Sequence, residues 1–302
     1  MIDFYADFLQ RDKDFLEELT ANMRTAYKTF SIPKANGKRR WLDEPCEDLK
    51  QIQNELLNRF FYKFKAHSAA VGFIKGMGIT EGVNRHFGNR VILTMDLTDF
   101  FGTIKKERVL KLLIYLIGNY QRIVKDIVEY EIKDLQLLTR LLTFKDKLPQ
   151  GAPTSPAIAN LTAYGLDKDL IQIAQEHSLI YTRYADDITF SHKDKDHNIG
   201  QHISSIENTC KTRGFTVNKK KTRIRRPHQR MLITGVVVND KLSVPRWRWR
   251  NFKAKLHNLV QNKTGVSAEE LQTLRGYAEW LRVLNPTKGV FFIQQLDIIN
   301  TF

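Results

Sequence analysis

The segment Leu179-Ile-Tyr-Thr-Arg-Tyr-Ala-Asp-Asp-Ile-Thr-Phe-Ser191 constrains this chain more than any other. Apolar, β-branched and aromatic residues flank Ala185-Asp186-Asp187, which reads as two short strands joined by a tight turn. Two adjacent carboxylates at such a tip repel each other. An enclosed site would force one of them to take up a proton unless a cation neutralised the pair. Aspartate is also common in solvated turns for conformational reasons alone, and a second segment favours the cation. Val91-Ile-Leu-Thr-Met95 has the pattern of a buried strand and leads straight into Asp96, so a third carboxylate stands at a strand end. Carboxylates converging from separate segments can hold two metal ions about 3.5–4 Å apart, which suits in-line displacement at phosphorus. Magnesium is the natural choice, because it takes oxygen ligands and shares them with substrate phosphates.

The charge of the chain points the same way. With 302 residues, 42% hydrophobic and 27% charged, it has the composition of an ordinary globular protein, but its net charge is +15. That excess implies a polyanionic partner, with nucleic acid ahead of a membrane surface. Between Lys219 and Lys255 thirteen lysines and arginines face a single acid, Asp240, an electrostatic footprint for a nucleic-acid backbone. No apolar run approaches the ~18 residues of a membrane span, and the acidic start lacks the apolar core of a signal peptide, so a cytoplasmic protein is expected. Cys46 and Cys210 form no C-x-x-C pair, which argues against a disulfide framework or a cysteine zinc site.

Hydrophobic spacing predicts short helices within residues 1–30, a helix over Asp43 to Phe64, and helices over 106–144. Asn36-Gly37 between extended segments predicts a hairpin, followed at once by Lys38, Arg39 and Arg40. Pro149, Pro153 and Pro156 make Leu148–Pro156 a shaped loop that enters a helix near Ala157, with its backbone passing close to something at Gly151. A helix from about Ile199 to Thr212 and a strand over Gly214–Asn218 follow. After Pro245, Arg246, Arg250 and Lys253 should line one helix face, with Trp249, Phe252 and Leu256 on the packing face.

Three blocks in this order, Asp96 at a strand end, Leu148-Pro-Gln-Gly-Ala-Pro-Thr-Ser-Pro156, and Tyr184-Ala185-Asp186-Asp187, resemble the palm of a reverse transcriptase. The resemblance implies an α+β right-hand polymerase. N-terminal helices and fingers would span 1–90, and a palm with a small antiparallel sheet backed by helices would span 91–240. Finger-connecting helices would occupy about 106–147, and a helical thumb 241–302. The resemblance further implies two Mg2+ ions, for which Mn2+ can substitute, held by Asp96, Asp186 and Asp187, with the backbone carbonyl of Leu97 also in contact. Lys221, in the Asn218-x-x-Lys-Thr222 pattern, becomes the cation near the leaving pyrophosphate. Phe101 becomes the wall beneath the sugar that rejects a 2′-hydroxyl, Gln150 and Gly151 lie against the incoming nucleotide, and Arg39 or Arg40 faces template or nucleotide from the finger hairpin. Arg246, Arg250 and Lys253 would track the phosphates of the primer–template duplex.

Within the superfamily, Ile233-Thr234-Gly235 resembles the Val-Thr-Gly of retron enzymes. His86 matches the histidine of their Asn-Ala-x-x-His, although Gly82-Val83 stands where Asn-Ala is typical. On this reading no DNA-binding, endonuclease or RNase H-like portion of related polymerases is expected within these 302 residues. The retron reading implies a structured noncoding RNA as template and primer, its DNA product, deoxynucleoside triphosphates, and a separately encoded effector protein in antiphage defence. An intron-derived or abortive-infection reverse transcriptase is the alternative within the class, and a silent RNA-binding module the alternative outside it.

Overall fold

The computed structural model describes residues 2–33, 37–262 and 267–300. The chain opens with strand β1 (Ile2–Asp3), a π-helical turn at Phe4–Leu9 and helix α1 (Lys13–Ala21), capped by the Asp12 side chain. Strands β2 (Tyr27–Pro33) and β3 (Arg39–Pro45) form an antiparallel hairpin in register from Tyr27–Pro45 to Pro33–Arg39. The expected Asn36-Gly37 turn lies partly outside the described residues. The helix expected from Asp43 begins later, as α2 (Glu47–Arg59). Pro45 explains the shift, since the residue before a proline is held extended, and Asp43 and Glu44 therefore complete β3.

Next come α3 (Ile79–His86), β4 (Val91–Asp96), the short α4 (Phe100–Thr103) and α5 (Lys106–Val124). A two-residue strand β5 (Val128–Glu129) pairs in parallel with β1 and interrupts the expected helical stretch before α6 (Ile132–Leu142). The proline-rich loop delivers α7 (Ser155–Thr162) with Pro156 in its first turn, and α8 (Tyr164–Glu176) follows. Then β6 (Ile180–Tyr184), β7 (Asp187–His192) and α9 (Ile203–Thr212) lead to β8 (Arg223–Arg225). Residues 214–218 do not form the expected strand. They make one bridge, Val217 to Leu97, through the backbone bonds of Thr98 N–H to the Thr216 carbonyl and Asn218 N–H to the Asp96 carbonyl. A turn at Lys219–Lys221 cuts the pairing short. A tight hairpin joins β9 (Leu232–Ile233) to β10 (Val236–Val237), with Thr234 and Gly235 both at positive φ. Three helices, α10 (Arg246–Asn262), α11 (Ala268–Leu284) and α12 (Pro286–Asn300), finish the described chain.

The central sheet has the order β6-β7-β4-β8, antiparallel throughout. Alternation along β4 sorts its residues between two cores. Val91, Leu93 and Met95 join the main core with helices α2 and α5 to α9, whereas Ile92 joins a second core built largely from residues 231–296. Asp96 has the parity of Ile92 and therefore lies on the face away from the main core. Among the described residues no helix is long and apolar enough to cross a membrane.

His86 fastens α3 to that same face. Its ring is fully buried, with Nδ1 2.6 Å from Ser191 Oγ and Nε2 2.7 Å from Thr182 Oγ1. Burial pulls its pKa from 6.5 down to about 3. The unfolded state therefore takes up the proton first as pH falls. Stability should be full above about pH 6.5 and decline towards about pH 3, at up to ~1.4 kcal/mol per pH unit from this group. Urea unfolding of the wild type and His86→Gln between pH 7.5 and 5 should show a steeper loss in the wild type. Equal slopes would show that His86 already carries its proton when folded.

Candidate active site

Strand register brings the carboxylates together. Asp96 and Asp187 are direct cross-strand partners, and Cβ atoms in such pairs lie about 4.5–5.5 Å apart. Tyr184 pairs with Asp187, so Ala185 and Asp186 form a two-residue turn, with Ala185 at φ +54°. Like charges directly opposite destabilise a sheet, and a cation is already in place. Lys221 Nζ donates to Asp96 Oδ1 at 2.5 Å. The backbone puts it there: Asn218 N–H donates to the Asp96 carbonyl at 2.7 Å, and Lys221 N–H donates to the Asn218 carbonyl at 2.9 Å. A single helical turn thus hangs from the end of β4.

The electrostatics follow from this crowding. Burial, then the charges of Asp186 and Asp96, push the Asp187 carboxyl up to about 6. Burial also raises Asp186, against the pull of Lys221 and Arg40. Lys221 is raised by its bond to Asp96. The donors are all carboxylate oxygens whose repulsion a cation would relieve, so they fit a hard divalent ion. Among the described residues no three His, Cys, Asp or Glu side chains are arranged to hold a metal by themselves. The rest of the coordination shell would come from water and substrate phosphates, the usual pattern for magnesium.

The family model described as reverse transcriptase (RNA-dependent DNA polymerase) matches residues 32–238, which include every one of these groups. The chain belongs to the reverse transcriptase family. Retron reverse transcriptases are among its relatives. It is 32% identical over 300 residues to the retron Mx162 reverse transcriptase of Myxococcus xanthus, covering 92% of this chain and 61% of that protein. It is 31% identical over 268 residues to the retron Ec73 reverse transcriptase of Escherichia coli, covering 86% and 83%. The chain thus spans about three fifths of the Myxococcus protein. Among solved structures it is similar to telomerase from Candida tropicalis, with a TM-score of 0.52 at 12% identity over 95% of this chain and 57% of that one. That likeness is one of fold.

The other residues expected at a reverse transcriptase site are spread over several elements. Leu97 is buried and donates its N–H to the Asp186 carbonyl at 2.9 Å. Phe100 and Phe101 part company: Phe100 is buried against Phe215, whereas Phe101 is half-buried with its ring 6.2 Å from that of Phe73. The Gln150 carbonyl accepts from Asp43 N–H at 2.9 Å. Gly151 adopts φ +140°, and a Cβ there would lie 2.6 Å from the Asp43 carbonyl oxygen. The close approach expected at Gly151 is therefore to Asp43 of the β2–β3 hairpin. Neighbouring residues of a ribbon point to opposite sides. Arg39 bonds Ser31 on its own hairpin, while Arg40 acts on the charge of Asp186. Arg246, Arg250 and Lys253 are exposed on α10, away from Phe252 and Leu256 in the second core.

Local sequence assigns no role to Arg183, Asp167 or Asn160. All three are buried directly behind the Asp186 turn. The available signal was a guanidinium inside an otherwise apolar strand, where a charge is tolerated only when fully paired.

Proposed function

We propose that this chain is an RNA-directed DNA polymerase that copies a structured noncoding RNA into DNA from deoxynucleoside triphosphates. The pairing of Asp96 with Asp187 across β4 and β7, with Asp186 in the adjoining turn, carries the reading. When bound, magnesium held by Asp96, Asp186 and Asp187, with the Leu97 carbonyl beside it, would neutralise phosphate charge and activate the primer 3′-hydroxyl. Lys221, an ammonium at the edge of the cluster, is placed to give a proton to the departing pyrophosphate. Arg40 and Gln150 approach the triphosphate and base from the hairpin side, and Arg39 extends the same basic ribbon towards the template. The retron names of the relatives support a noncoding RNA as template and primer, and a role beside an effector protein in antiphage defence.

Phe101 provides the test. Its half-buried ring forms the wall beneath the sugar and rejects ribonucleotides by steric clash. The wild type, given Mg2+, a DNA primer on an RNA template and either nucleotide class, should extend with dNTPs and discriminate against rNTPs. Phe101→Ala should narrow that preference, read as the ratio of kcat/KM values, by ~10- to 100-fold, the scale of a lost steric sieve. Absence of DNA synthesis by the wild type would overturn the assignment, and an unchanged ratio in the variant would move the gate away from Phe101.

A further inference from the structure

Arg183 is the largest fully buried side chain described, and it lies on the opposite face of the sheet from the carboxylates. Its neighbour in register is Ile188, a main-core residue, whereas Tyr184 pairs with Asp187. From behind, the guanidinium reaches round the end of β6. Nε and Nη2 donate to the two oxygens of Asp167 at 2.8 and 2.6 Å, and Nη1 donates to Asn160 Oδ1 and to the Ala185 carbonyl, both at 3.0 Å. The Tyr181 hydroxyl donates to Asp167 at 2.7 Å, and Asn160 Nδ2 donates to the Gly72 carbonyl at 2.8 Å. Every charged group in this network is satisfied, and both Arg183 and Asp167 have no side-chain exposure.

The bond to Ala185 sets this network apart from ordinary core packing. Ala185 stands in the left-handed region, which an isolated turn adopts reluctantly unless Gly, Asn or Asp occupies the position. Its carbonyl belongs to the peptide plane that enters Asp186. The plane that leaves Asp186 is pinned as well, because its carbonyl accepts from Leu97 N–H at 2.9 Å. Gly72 closes the turn from outside, where any Cβ would come within 2.9 Å of Ala185 N. Asp186 is thereby held through both of its flanking peptides, one by Leu97 just past β4 and one by a buried guanidinium.

We infer that Arg183, oriented by Asp167 and Asn160, is a positioning residue that sets the direction of the Asp186 carboxylate through the Ala185 carbonyl. A buried ion pair contributes little stability that apolar residues of similar volume would not supply, so stability alone is a weak reason for the pair. Orientation is a strong one, since a displacement of ~1 Å at a reacting centre costs on the order of 100-fold in rate. The inference rests on the polymerase reading above.

The test removes the network without leaving an unpaired charge. The triple variant Tyr181→Phe, Asp167→Leu, Arg183→Met should stay folded and bind primer–template with unchanged Kd. Its single-turnover incorporation rate at saturating dNTP should fall ~10- to 100-fold. Mn2+ binding followed by electron paramagnetic resonance without dNTP should weaken several-fold, a readout independent of turnover. Arg183→Lys, which keeps a charge for Asp167 but lacks the second arm that reaches Ala185, should show the same two losses. A folded variant of either kind with wild-type rate and Mn2+ affinity would overturn the inference while leaving the polymerase reading intact. Failure of both variants to fold would make the network a stability element and overturn it too. A wild type that makes no DNA would count against the polymerase reading itself.

Discussion

Replacing Asp186 and Asp187 together by asparagine is expected to abolish DNA synthesis while leaving RNA binding nearly intact. The two side chains keep their size and their places on the turn and opposite Asp96, but two of the three negative charges disappear. Metal-centred stabilisation of the displaced phosphoryl group amounts to several kcal/mol, and each 1.36 kcal/mol is a factor of ten. The single-turnover rate should therefore fall by at least about 10³-fold. Binding should hold because the basic surface of residues 219–255 is untouched, and removing two acids from a chain of net charge +15 does not weaken its attraction for a polyanion. Burial and then the neighbouring charges raise Asp187, so replacing it with a neutral amide should also leave the fold as stable as before, or more so, a point thermal unfolding would check. Polymerisation near the wild-type rate would mean that these carboxylates do not hold the catalytic ions.

Changing Arg246, Arg250 and Lys253 together to glutamine should weaken binding to a primer–template duplex and make what remains less sensitive to salt. The three lie exposed on one face of α10, while Phe252 and Leu256 on the other are buried and Trp249 rests 4.9 Å from Phe292, centroid to centroid. The substitutions therefore leave the helix packing alone. Every cation that no longer neutralises a phosphate flattens the plot of log affinity against log salt by roughly 0.7–0.9, so neutralising all three side chains should reduce the slope by about 2–3. Single-turnover chemistry at saturating protein should change little, because these residues are remote in sequence and packing from Asp96. An unchanged salt slope would show that this face does not meet the nucleic acid.

Local sequence determined a good deal of this protein. The turn at Ala185-Asp186, the buried strand ending in Asp96 and the amphipathic sorting of α10 could be read because each depends on a period of two or 3.6 within one segment. The three palm blocks carried the family likeness for the same reason, being short runs in which nearly every residue is constrained. The hairpin around Asn36-Gly37 announced itself, but the choice between Arg39 and Arg40 did not. That choice depends on how the ribbon docks on the rest of the chain, where Gln150 and Gly151 meet Asp43. Pro45 is a local signal too, and it starts the helix at Glu47 although the apolar spacing of α2 sets no such limit.

Tertiary structure decided the rest. Residues 214–218 have the composition of a strand, yet pairing with β4 is broken off by the turn that carries Lys221 to Asp96. The direct pairing of Asp96 with Asp187 is a matter of register between segments about ninety residues apart, and no local pattern encodes it. The network behind the turn was least visible of all. Arg183, Asp167 and Asn160 look like isolated polar residues among apolar ones until the sheet and helices α7 and α8 close around them. Burial then leaves a charged side chain no alternative to complete pairing, and one arm of that pairing is left for the backbone of Ala185.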